Sequence, residues 1–90
     1  MNESKVLLDF SAPWCGPCKA LEPSIKLLEA AFEDRVEVRR INVDENPDLA
    51  AQYNVQSVPT LILLTPEEKL RIVGSRPFVV LKALVEDAIK

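Results

Sequence analysis

Histidine is absent from this chain, and cysteine occurs only twice in its 90 residues. Those shortages narrow the chemistry. A zinc or iron–sulfur centre needs further ligands, so two cysteines supply at most half a site, which only a dimer could complete. No apolar run approaches the length of a membrane span. No repeat, low-complexity tract or linker interrupts the chain. Neither sign of charge dominates: 11 basic and 14 acidic residues are interspersed and leave a formal net charge of −3. That gives no reason to expect a nucleic acid or an anionic membrane as partner. Met1 to Lys5 leads into a strand interrupted by Asp9 instead of a long apolar segment with a small-residue cleavage site. No signal peptide is therefore expected, and the expected location is cytoplasmic. Nearly half the residues are apolar, enough for one domain over residues 1–90 with a core that needs no staples.

In such a chain, two cysteines point to redox catalysis or metal binding more than to a structural bridge. They lie in Trp14-Cys15-Gly16-Pro17-Cys18-Lys19, where an apolar run (6–12) gives way to a helical pattern of Leu21, Ile25, Leu28 and Phe32. The first turn of a helix presents unpaired N–H groups and the positive end of its dipole, and both favour an anion such as a thiolate. Cys15 is thus expected to be the reachable, activated sulfur. Cys18, one turn further in, is the sheltered partner and lies near enough to close a disulfide. Closing so short a loop stabilises a fold little, so the pair reads as one that opens and closes.

Residues 6–10 are apolar apart from Asp9 and predict a strand buried on both faces. Asp9 has two readings: a strand-end side chain turned to water, or a carboxylate beneath the dithiol with its pKa raised by desolvation. The apolar spacing predicts a helix over 16–32 with one stripe on a sheet. Pro17 suits its first turn, whereas Pro23 lies inside it and predicts a kink. Residues 36–43 alternate as a second strand, and the helical crossover makes the pair parallel. Arg40 reads either as a surface arginine with a snorkelling stem or as a cation near Asp9. Asn46 is expected to cap, and Pro47 to open, a short helix with Leu49, Ala50 and Tyr53 on its apolar face and Asn54 as a left-handed stop. A strand over 58–64 follows. Pro59 at its head, taken alone, reads as a trans turn residue. Residues 65–69 form a hairpin loop and 70–73 the returning strand, ended by Gly74, where the missing side chain lets a partner's backbone approach. Pro77 opens a last helix whose stripe of Phe78, Leu81, Leu84, Val85, Ala88 and Ile89 faces the core. Its opposite face is not basic, which argues against membrane binding. The fold class is α/β, ordered β-α-β-α-β-β-α, a four-stranded mixed sheet with helices on both faces.

The hexapeptide 14–19, with Leu8-Asp9-Phe10 before it and Ile41-Asn42-Val43-Asp44 and Val58-Pro59-Thr60 after it, resembles the thioredoxin family in residues and in order. The similarity runs from about Val6 to the C-terminus. It implies a thioredoxin-like fold, the family's strand order, and a protein-disulfide reductase working through a Cys15–Cys18 disulfide and a mixed-disulfide intermediate. It implies that Asp9 helps to move the proton of Cys18. It also implies a cis Val58-Pro59 bond facing the dithiol, which frees the backbone of Val58 to pair with an extended client and keeps metal from bridging the sulfurs. Trp14, Gly16, Pro17, Val58, Pro59 and Gly74 would form the loop and client platform, with Gly16-Pro17 stiffening the closed form. Core filling is the other reading of Trp14. Lys19 is a solvated helix residue with a modest electrostatic role. No bound cofactor or metal is implied. Partners are disulfide-containing client proteins and a thioredoxin reductase, either NADPH/FAD-dependent or ferredoxin-linked, and the chain is expected to be a monomer.

Two departures stand out. Full-length members carry a strand and a helix before the element at Val6, whose absence leaves one sheet edge less covered and bears on recognition by a generic reductase. Ser11 stands where the family often has an aromatic residue, with consequences for redox potential and client choice. A binding module that docks on a larger protein without redox turnover would use the same platform.

Overall fold

Four consecutive residues, Leu7 to Phe10, are buried in β1 (Val6–Ser11), because this strand has a neighbour on each side and packed layers above and below. β2 (Glu37–Asn42) runs parallel to it, with Asp9 opposite Arg40, and β3 (Thr60–Leu64) runs antiparallel, with Asp9 opposite Leu61. β4 (Glu68–Val73) pairs antiparallel with β3, giving the order β2-β1-β3-β4. The computed structural model describes residues 5–90; the expectation of a missing leader falls mostly on residues 1–4, outside that range.

Side chains alternate between the faces of the sheet. Leu7, Leu61, Leu63 and Ile72 meet Leu21, Ile25 and Leu28 of α1 (Gly16–Ala31) and Leu81 and Val85 of α3 (Phe78–Ala88). On the other face Leu8, Phe10, Ile41 and Ile62 meet Leu49 of α2 (Pro47–Gln52) and Tyr53 just beyond it. The α/β architecture, its element order and the helices on both faces agree with expectation. Asp9 follows the alternation of Leu7, which directs it toward α1.

Some local expectations hold and others need correction. The side chain of Asn46 occupies the cap position of α2 without capping it; its Nδ2 donates instead to the Asn42 carbonyl at 3.0 Å. Asn54 is left-handed, at φ 55°. β4 begins at Glu68 rather than 70, because Glu68 pairs with Leu64 across a register shift between Leu63 and Leu64. Leu84, assigned to the apolar stripe of α3, is exposed at the edge of the contact. Pro23 lies within α1, which continues through it to Ala31.

Candidate active site

β1 ends at Ser11, and the chain turns so that the Cys15 amide donates to the Ala12 carbonyl at 3.1 Å. This turn makes Cys15 the N-cap of α1, with extended backbone (φ −93°, ψ 105°). Its Sγ accepts the Cys18 N–H at 3.1 Å. One helix amide thus already points at the sulfur, and no acidic residue occupies the first turn to oppose a negative charge there. Cys15 and Cys18 are joined as a disulfide with Cα atoms 5.3 Å apart.

The sulfurs are not distinguished by exposure in this state. Cys15 is 4 % exposed and Cys18 9 %, which corrects the picture of a reachable Cys15. Cys15 lies in a small apolar cluster with Ala12, Cys18, Val43 and Val58. What separates the two is their polar surroundings: Cys15 has the helix amide, and Cys18 opens onto a cleft of about 190 Å³ shared with Asp9, Ser11, Lys19 and Glu22.

Asp9 is buried, 4 % exposed, so its side chain is not turned to open water. Desolvation, helped by the nearby Glu22 and Glu29 carboxylates and opposed by Arg40, pushes its carboxyl up to about 6. Arg40 is not its ion-pair partner. Its guanidinium binds Glu22 and Glu29 of α1, each at 2.8 Å, and lies partly exposed over the sheet edge. Lys19 is exposed, and it lines the Asp9 cleft.

On the other flank, Trp14 is 69 % exposed, which removes the core-filling reading. Its Nε1 donates to Asp44 Oδ2 at 3.0 Å, and its ring borders a cavity of about 200 Å³ formed with Val43, Val55, Gln56, Ser57 and Val58. The Val58-Pro59 bond is cis, and Pro59 is buried. Gly74, at φ +92°, a region that favours glycine, donates its amide to the Pro59 carbonyl at 2.8 Å and so ties the end of β4 to this loop. Gly16 and Pro17 are exposed at the helix start.

Cys15, Cys18 and Val58 therefore come together, Asp9 and Lys19 join at the Cys18 side, and Trp14 borders the Val58 side. The sequence reading missed Asp44, Glu22 and Glu29. A signal existed for the acids on α1: Glu22 is four residues after Cys18 and Glu29 seven after Glu22, all on one helical face.

A family model described as Thioredoxin matches residues 1–87. Thioredoxin from Bacillus subtilis is 42% identical over 85 residues, covering 93% of this chain and 82% of its own. Thioredoxin 1 from Chlorobaculum tepidum is 44% identical over 78 residues, covering 86% and 77%. A solved mutant thioredoxin from Halobacterium salinarum has a TM-score of 0.86 at 42% identity, covering 98% of this chain and 77% of that one. Mitochondrial thioredoxin 3 from Saccharomyces cerevisiae, in its oxidised form, has a TM-score of 0.85 at 34% identity, covering 94% and 79%. With sequence and fold both shared along almost its whole length, the chain belongs to the thioredoxin family.

Proposed function

We propose the following division of labour within this protein-disulfide reductase. Cys15 is the attacking thiolate, Cys18 the resolving thiol and Asp9 the group that takes the Cys18 proton. The observation that carries the reading is a disulfide whose one sulfur accepts a helix amide while the other faces a cleft holding a buried carboxylate.

In the reduced protein the helix amides favour thiolate on Cys15. That thiolate attacks a client disulfide; one client sulfur leaves as a thiolate and takes a proton from solvent, while the other stays bonded to Cys15. Asp9 then accepts the Cys18 proton across the cleft, which has room for a bridging water. A carboxyl at about 6 suits this exchange near neutral pH. The Cys18 thiolate attacks Cys15 Sγ, the second client thiolate departs and takes a proton, and two electrons have passed from the dithiol to the client. A thioredoxin reductase, flavin- or ferredoxin-linked, restores the dithiol by supplying two electrons and two protons. Trp14, Gly16, Pro17, Val58, Pro59 and Gly74 form the client platform, with the Val58 backbone pairing with an extended segment. The protein acts as a monomeric electron carrier in cytoplasmic redox balance and binds no cofactor of its own.

Reduction of insulin disulfides, first with dithiothreitol and then with NADPH and thioredoxin reductase, tests this reading. The parent should turn over with both electron sources. Cys15→Ser should be inactive, whereas Cys18→Ser should accumulate a mixed disulfide visible by mass. Accumulation by Cys15→Ser instead would reverse the roles of the two sulfurs.

A further inference from the structure

Arg40 is held unusually completely for a partly exposed side chain. Its Nε donates to Glu22 at 3.1 Å and its Nη2 to the same carboxylate at 2.8 Å. Nη1 and Nη2 donate to Glu29 at 2.8 and 3.0 Å. Two carboxylates two turns apart on one face of α1 thus engage all three nitrogens of a guanidinium rooted directly opposite Asp9 on the neighbouring strand. Among the described residues, no ion pair joins Arg40 to Asp9.

We propose that Glu22 and Glu29 are positioning residues: by gripping Arg40 from α1 they keep its guanidinium from pairing with Asp9, so the acid that serves Cys18 works without a counter-ion. This rests on the reading of Asp9 as the proton acceptor. The clamp as a whole carries one excess negative charge, and the nearer acid governs. Glu22 raises the Asp9 carboxyl more than Arg40 lowers it, and Glu29 adds to the rise. Glu29 is itself held below the usual carboxylate range by its Arg40 hydrogen bonds, so it stays ionised where Asp9 titrates. The other charge facing the cleft is Lys19 on α1; β3 places uncharged Leu61 opposite Asp9. An arginine freed from the clamp would turn toward this carboxylate and stabilise its ionised form. Asp9 would then be a weaker base for the Cys18 proton.

The test is a cycle read by the ¹³C carboxyl titration of Asp9 in the oxidised protein, where no thiol titrates. Glu22→Gln combined with Glu29→Gln should lower the Asp9 midpoint by about one pH unit. In the Arg40→Gln background the same pair should lower it distinctly less, because no guanidinium is left to release. Equal shifts in both backgrounds would mean that the glutamates act by charge alone and would overturn the positioning role, as would no shift in either. The pH profile of mixed-disulfide resolution should follow the midpoint. An unchanged profile in Asp9→Asn would instead sink the proton-acceptor reading, while the titration would still decide the clamp.

Discussion

A carboxyl that is harder to ionise inside the fold than outside it must weaken the fold wherever it is ionised. For Asp9 the ordinary value is 3.8 and the folded one about 6. The unfolded carboxyl therefore ionises first as pH rises. Stability is lost progressively between those values, by about 3 kcal/mol in all once pH exceeds the folded value. Asp9→Asn removes this penalty. The oxidised variant should gain up to about 3 kcal/mol near pH 8 and little near pH 3.5, with the difference opening across the interval. Urea unfolding of both proteins at several pH values measures it. A variant less stable than the parent at pH 7 to 8 would defeat the account of a desolvated acid. If Asp9 has the proposed role, the same substitution should slow resolution of the mixed disulfide, and a destabilising residue is then kept for the proton it moves.

At the scale of elements, α1 joins the two halves of the site. Its first turn supplies an amide to Cys15, its second turn places Glu22 beside the Asp9 cleft, and its buried stripe fixes both against β1. Introducing an acid near that first turn opposes a thiolate at the N-cap. Lys19→Glu should therefore slow alkylation of reduced Cys15 by iodoacetamide at pH 7 by about two- to fivefold. An unchanged rate would deny the helix terminus its part in activation. The strands, the helix faces and the dithiol junction were legible in the sequence, because each follows from a local pattern or a local breaker: the apolar run of β1, alternation in β2, the four-three-four spacing of α1, Pro47 and Asn54 at the ends of α2. The cis Val58-Pro59 bond was legible only through family resemblance, since a proline at a strand head is ordinarily trans. What escaped depends on partners far along the chain. Asp44 reaches Trp14 across 30 positions and Arg40 reaches Glu22 across 18. The burial of Cys15 depends on Val43 and Val58 closing over it.

The two faces of the sheet are unequal in the whole molecule, and the site draws its rigidity from one of them. α1 and α3 cover the first face and enclose residues such as Leu28, Leu81 and Val85 completely. Among the described residues the second is covered by the six-residue α2 and the loop after it, and a cavity of about 460 Å³ lies there, lined by Val6, Leu8, Ile41, Leu49, Tyr53 and Leu64 among others. Among the described residues no further strand pairs with the outer edge of β2. Side chains around an existing gap lose few contacts when truncated, whereas those in a closed core leave a new void. Leu81→Ala should therefore cost about 2 to 5 kcal/mol, and Leu49→Ala about 1 kcal/mol or less. Urea unfolding of the oxidised proteins gives both values. Because α1 packs against α3 while Asp9 and Cys18 meet on the α1 side, Leu81→Ala should also impair insulin reduction at temperatures where Leu49→Ala is fully active. Equal costs for the two truncations would mean that the open face is packed as tightly as the closed one, and the site would then owe its geometry to the sheet as a whole instead of to the α1–α3 layer.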